Sequence, residues 1–277
     1  MGYLCVMQLS ISQIKATRAL ASKKGREESG LFVVEGEKLV QEALDSSFEV
    51  VEVWRRDEIG EQAMARISQL DTPPPVLAVV RIPETAGTVG RDSAGFFCPR
   101  RPEGLLRECC AAADSARPQG GLYLALDSIR DPGNLGTIVR IADWFGVSGL
   151  VMSSDTVDIF SPKVVQATMG AIFRVPFTYT DDLAEYCRLL RADGGTVYGT
   201  FLDGEDIYSA RLSTGEDGPV ILVIGNEAHG ISPEVRAECS AALRIPSFPG
   251  GVPTSESLNA AVATAVAVAE FRRRLHA

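Results

Sequence analysis

"LDSIRDPGNLGTIVRIADWFGV", residues 126–147, passes from an apolar strand end through an Asp-Pro-Gly-Asn corner into an amphipathic helix. Asn134 stands in the glycine-bracketed corner, and Arg140 follows in the helix. Two readings fit. Asparagine suits a turn or helix cap, and the arginine then lies on a solvated face. In the other reading the corner presents both side chains to a ligand, because ligands of open α/β sheets bind beyond the carboxyl ends of the strands. The surrounding chain decides between them.

Residues 121–277 alternate apolar strands with helical segments. The pattern predicts strands at 121–127, 149–153, 173–177, 196–202, 219–225 and 242–246. It predicts helices near 136–145, 162–171, 182–193, 232–240 and 256–275. This is the doubly wound α/β pattern, and it puts the loops at 127–136, 199–205, 225–231 and 246–256 where ligands collect. Residues 1–85 read as a smaller α/β unit. Its expected helices are one from Ser12 to Lys24 stopped by Gly25, one over 37–46 and one around 58–70; its strands are 31–36, 49–54 and 75–82. Residues 86–120 are rich in Gly, Arg and Pro, only "LLRECCAAADS" has helical character, and the segment reads as a linker or insertion.

The totals exclude several classes. A chain of 277 residues, 45% hydrophobic and 23% charged, is a globular protein with room for two domains. The apolar stretch Leu258–Phe271 contains Asn259 and Thr264 and is too short to span a bilayer. The start, MGYLCVMQLS, lacks a basic n-region, and Val6 stands where a myristoylation signal needs Ser or Thr. A cytoplasmic protein without a membrane partner is expected. Six cysteines without a CxxC pair and two histidines build no zinc spacing, so no metal is expected. The net charge of −9 argues against a general nucleic-acid binder. Yet residues 1–26 hold Lys15, Arg18, Lys23, Lys24 and Arg26 with no Asp or Glu, and Arg272-Arg273-Arg274 repeats the theme near the C-terminus. A local phosphate contact and a solvated helix face both account for such clusters.

The glycine loops are not phosphate cradles. "GNLG" (133–136) is not GxGxxG, and "GNEAHG" (225–230) is not followed by Lys-Ser or Lys-Thr. A P-loop nucleotidase and a nicotinamide dehydrogenase lose ground together. S-adenosylmethionine (AdoMet) carries no phosphate and suits loops that offer backbone donors and acceptors.

Three blocks, in order, resemble the signature motifs of the SPOUT-class TrmH/SpoU family of RNA ribose 2'-O-methyltransferases. They are the opening stretch, "LVIGNEAHGIS" (222–232) and "IPSFPGGVPTSESLNAAVA" (245–263). The resemblance covers roughly 121–277, and "FVVEGEKLVQEAL" is similar to the ribosomal-protein-like substrate-binding domain that family members often carry. It implies a deep trefoil knot at the C-terminus, an exception to unknotted topology. It also implies AdoMet bound in that knot, a homodimer completing each active site, and an RNA substrate, ribosomal RNA favoured and transfer RNA open.

The resemblance assigns roles by position. Asn134, Arg140, Glu227, Ser257 and Asn259 match catalytic positions; Gly225, Asn226, Gly230, Ile245 and Leu258 match the cofactor loops, with Thr200 beside the adenine pocket. Arg140 matches the residue that promotes loss of the 2'-hydroxyl proton. Its guanidinium stays protonated, so clamping phosphate and stabilising the developing alkoxide is the easier chemistry. Each has a plainer alternative: a helix cap for Asn134, Ser257 or Ser255, a surface position for Arg140, an acid at a helix N-terminus for Glu227. His229 is read as incidental. Two departures stand out: the loop from Ile245-Pro246 to Ser257 is longer than usual, with Ser247 where methionine is common, and 86–120 is expanded. The rival functions are a non-catalytic RNA-binding assembly factor of the same fold and a nucleotide-binding enzyme; the full catalytic set disfavours the first, the missing phosphate motif the second.

Overall fold

Ser10 opens the first helix among the described residues with a reciprocal cap: its Oγ accepts the Gln13 N–H at 3.2 Å, and Gln13 Oε1 accepts the Ser10 N–H at 3.0 Å. The computed structural model describes residues 9–83, 89–91, 97–99, 121–213, 215, 218–250 and 257–275. Helix α1 spans Ile11–Ala19 and α2 spans Lys23–Ser29, so the single helix expected over 12–24 is two. Ser22 breaks it by capping α2, its Oγ accepting the Gly25 N–H at 3.1 Å. Gly25 is no stop. It lies inside α2, where a Cβ would sit 2.0 Å from the Ala19 carbonyl oxygen, so only glycine lets the two helices meet.

The N-terminal unit comprises 1–84 together with 158–174. Strands β1 (Leu31–Glu35), β2 (Val50–Arg55) and β3 (Val76–Arg81) form an antiparallel sheet in the order β1-β3-β2. Helix α3 (Glu37–Leu44) follows β1, and α4 (Arg56–Ile59) and α5 (Glu61–Ile67) follow β2. Four successive residues of β1 and five of β3 are buried, which explains why these strands read as continuous apolar runs rather than alternations. Val33, Leu77 and Val79 pack with Ile14, Met64 and Ile67. Phe32 instead joins an aromatic cluster, its ring centroid 6.3 Å from Phe48, 4.8 Å from Phe160 and 6.4 Å from Phe173. Phe160 and Phe173 come from the distant segment, which carries α6 (Pro162–Thr168) and a 3₁₀ turn at Ala171–Phe173. The strand expected at 173–177 therefore begins only at Phe177, because Phe173 is held in this cluster and Pro176 has no N–H for a ladder.

The second unit contains 85–157 and 175–277. Short strands β4 (Val89–Arg91) and β5 (Phe97–Pro99) pair antiparallel; "LLRECCAAADS" lies outside the described residues. Strands β6 (Leu122–Leu126), β7 (Gly149–Ser153), β8 (Phe177–Thr180), β9 (Thr196–Asp206), β10 (Val220–Ile224) and β11 (Ala241–Arg244) form one parallel sheet, ordered β11-β9-β10-β6-β7-β8. Its helices among the described residues are α7 (Pro132–Trp144), α8 (Leu183–Ala192), α9 (Pro233–Ala237) and α10 (Ala260–Leu275). On one face Leu183, Tyr186, Cys187 and Leu190 of α8 meet Val151, Val197, Ile221 and Val223. Tyr198 points the other way, its ring 5.4 Å from Phe271 of α10. Residues 251–256, part of the C-terminal chain in which the knot is expected, lie outside the described residues.

Candidate active site

Strands β6 and β10 are neighbours whose onward connections leave in opposite directions, to β7 on one side and to β11 on the other. Such a switch point opens a crevice at the carboxyl ends of the strands. The corner after β6 and the glycine loop after β10 both lie there.

Asp131 caps α7, its Oδ1 accepting the Asn134 N–H at 2.7 Å, and Pro132 takes the first turn. Asn134 is thus not the cap, and its side chain is free for other work. Its Nδ2 donates to Glu227 Oε1 at 2.7 Å, and its Oδ1 accepts from Asn259 Nδ2 at 2.8 Å. Asn259 Oδ1 in turn accepts the N–H groups of Ala261 and Val262 at 3.0 and 3.3 Å, so Asn259 rather than Ser257 caps α10; Ser255 lies outside the described residues. The order of donors is forced. A carboxylate only accepts, a helix N-terminus only donates, and both intervening amides must face the one way that satisfies each end. One residue from each of the three sequence blocks is therefore locked into a single chain of hydrogen bonds.

The 225–230 loop closes on itself. Asn226 and Gly230 exchange backbone hydrogen bonds of 2.9 Å each, and Asn226 Oδ1 accepts the N–H groups of Ala228 and His229 at 2.9 and 3.1 Å. A Cβ on Gly225 would lie 2.3 Å from the Gly230 carbonyl carbon and the Ile231 nitrogen, so the close approach requires glycine. Asn226 Nδ2 donates to the Ser128 carbonyl at 2.6 Å, tying this loop to the first. Buried Asp127, which the sequence reading missed, accepts the Ser232 N–H and hydroxyl, both at 2.7 Å, and fixes the loop's far end. A polar residue closing a fully apolar strand was the signal available for it.

These loops offer backbone and apolar surface. Ile245 is half-buried and Leu258 exposed, and neither 225–232 nor 245–250 contains Lys or Arg. A phosphate-bearing ligand would find no counter-charge there, whereas a phosphate-free adenosine such as AdoMet fits. Thr200 donates to the Val223 carbonyl at 3.1 Å, so its hydroxyl braces β9 against β10 rather than pointing at a ligand. Burial pushes the Cys187 thiol up to about 12 and Cys239 up to about 11, and neither is suited to nucleophilic chemistry.

The SpoU rRNA Methylase family model matches residues 121–269, across all three blocks. The chain belongs to this family. The MRM3-like substrate binding domain model matches residues 12–61. Among SpoU-type relatives, 23S rRNA (guanosine(2553)-2'-O)-methyltransferase RlmP of Bacillus subtilis (strain 168) is 28% identical over 275 residues, spanning 94% of this chain and 96% of that protein. A putative TrmH-family RNA methyltransferase structure from Porphyromonas gingivalis is 37% identical with a TM-score of 0.76, covering 96% of this chain and 99% of that one. An AdoMet-bound rRNA methyltransferase structure from Sinorhizobium meliloti is 31% identical, also with a TM-score of 0.76, covering 97% and 98%.

Within this SpoU chain, Arg140 does not join the Asn134 cluster. It is exposed on α7, one turn before Trp144, which is 85% exposed. Ser257 is also exposed. Arg26 overturns the expectation of an RNA contact: it is 3% exposed, its Nη1 donates to the Leu20 and Ala21 carbonyls at 2.8 and 3.0 Å, and its Nε and Nη2 grip Asp158 Oδ2 at 2.9 and 2.5 Å. Lys23 and Lys24 are exposed but pair loosely with Glu27 and Glu28 one turn on, at 3.8 and 3.7 Å. Lys15 and Arg18 are exposed on one side of α1. The C-terminal arginines are largely structural. Arg272 donates to the Phe145 and Gly146 carbonyls that end α7, and Arg274 to those of Ala210, Ile207 and Tyr208. Hydrogen bonds from Arg273 and then Arg274 hold the Glu270 carboxyl down at about 2.

Proposed function

We propose that this protein transfers a methyl group from AdoMet to a ribose 2'-hydroxyl of ribosomal RNA, acting as a homodimer in the cytoplasm. The observation that carries the reading is the Glu227–Asn134–Asn259 chain, which joins all three family blocks at the switch point of the sheet. The names of the relatives and the match to a substrate-binding domain support RNA as the substrate and ribosomal RNA as its class. Among the described residues no helix is long and apolar enough to cross a membrane.

Bound AdoMet supplies an electrophilic methyl group on a sulfonium. Gly225, Asn226, Gly230, Ile245 and Leu258 would hold it, largely through backbone, with Thr200 bracing the strand beneath. The locked Asn134 amide would orient the ribose. Arg140 and Trp144 lie on the exposed side of α7, opposite buried Leu135, Ile138, Val139 and Ala142. A second copy would cover that face and receive Arg140 at its own site, where the guanidinium grips phosphate and lowers the cost of removing the hydroxyl proton. Lys15 and Arg18 would steer RNA to the N-terminal unit.

The test is methyl transfer from labelled AdoMet to ribosomal and transfer RNA, free and assembled into ribosomal particles, with wild type beside Arg140→Ala. Label in ribosomal RNA at an alkali-resistant linkage, lost in the variant, is the expected result. Label in transfer RNA alone would reassign the substrate, and AdoMet binding without transfer to any RNA would favour an assembly factor.

A further inference from the structure

Ser128 has φ of 59°, one of two non-glycine residues among those described with positive φ. A serine adopts this left-handed backbone only at a cost. Three groups oppose that cost. The Ser128 N–H donates to Ser153 Oγ at 2.8 Å, and the Ser128 hydroxyl donates to Asp155 Oδ2 at 2.6 Å. Ser153 Oγ donates to Asp155 Oδ1 at 2.7 Å, so its lone pairs face the Ser128 N–H. Thr156 Oγ1 lies 3.0 Å from Ser153 Oγ and reaches the Leu126 carbonyl at 3.3 Å, joining the network to the end of β6.

What the strained residue delivers is the direction of its carbonyl. Held left-handed, Ser128 aims that oxygen at Asn226 Nδ2, 2.6 Å away, and leaves Asn226 Oδ1 to fold the 226–230 loop that carries Glu227 to Asn134. We propose that Asp155, outside all three family blocks, is a positioning residue for the cofactor loop, acting by holding Ser128 left-handed. The inference rests on the methyltransferase reading above. Hydrogen bonds from Ser128 first, then Ser153 and Arg130, hold the Asp155 carboxyl below its ordinary range, consistent with an acceptor that keeps both hydroxyls in place. Asp155 is exposed, so its removal spares the core.

Calorimetric titration of AdoMet into the full-length chain tests this, with thermal melting alongside. Asp155→Ala is expected to weaken binding about tenfold, the equivalent of about 1.4 kcal/mol, without lowering the melting temperature appreciably. In the Ser128→Gly background the same change is expected to weaken binding less than about twofold, because glycine holds positive φ without support. A merely structural role would give equal losses in both backgrounds. Equal losses, or an Asp155→Ala variant that binds like wild type, would overturn the proposal. Wild type that binds no AdoMet would fell the functional reading and this inference with it.

Discussion

Asn259→Asp is the most informative single substitution in the site. A carboxylate at position 259 still accepts the Ala261 and Val262 N–H groups, and a negative charge at a helix N-terminus adds about 0.3–1 kcal/mol of stability. What it loses is the NH2 that Asn134 Oδ1 accepts at 2.8 Å. Asn134 must then turn its own NH2 toward the new carboxylate, which leaves its carbonyl facing Glu227 Oε1, now 2.7 Å away with no proton between them. A hydrogen bond to a charged group contributes about 1.5–3 kcal/mol, and this one is lost from the reacting geometry while the fold keeps its cap. The expected outcome is a methyl-transfer rate down about tenfold to 150-fold, at about 1.36 kcal/mol per decade, with a melting temperature lowered by only a few degrees because the gain at the cap offsets part of the lost bond. The assay is single-turnover transfer with saturating AdoMet and RNA. Wild-type rates, or a deficit that tracks loss of structure, would refute the idea that the direction of these amides governs the site.

Arg26→Met should destabilise the protein by about 3–5 kcal/mol in chemical denaturation, since it takes the guanidinium away from Asp158 Oδ2 and from two carbonyls. Lys15→Ala and Arg18→Ala should leave stability unchanged and each reduce the salt slope of RNA binding by about one. For Glu270, the folded pKa of about 2 lies below the ordinary 4.5, so its stabilisation is present above pH 4.5 and lost as pH falls toward 2. Melting temperature against pH should fall less steeply through that window in Glu270→Gln. Site-resolved alkylation at pH 8 should spare Cys187 and Cys239 in the native protein, because thiols raised to about 12 and about 11 carry little thiolate there. Labelling at either before unfolding would contradict thiols held in the protonated form.

The parallel sheet was legible because each buried strand is an apolar run closed by a glycine or polar loop, and the site was legible because its three blocks are local. What was hidden depended on distance. Nothing near Arg26 announces Asp158, so a buried ion pair looked like part of a basic arm. Arg272 and Arg274 likewise find their carbonyl partners far back in the chain. Asn134 could be singled out but not its partners, since Glu227 and Asn259 are brought to it only by the order of strands. Ser128 and Asp155 carry no sequence signal, because a left-handed serine is visible only as a dihedral angle.

The aromatic cluster around Phe32 also has a consequence for synthesis on the ribosome. Phe32 is fully buried, yet two of the rings against it, Phe160 and Phe173, belong to a segment that ends at 174, whereas the unit's first stretch ends at 84. The residues from 85 through 174, about 90 in all, take about 5–18 s to translate at about 5–20 residues per second. During that interval the nascent N-terminal sheet has one face without its final cover. The unit translated first is therefore finished only when part of the second has emerged, and a ribosome stalled before residue 174 would hold it open to chaperones or proteases.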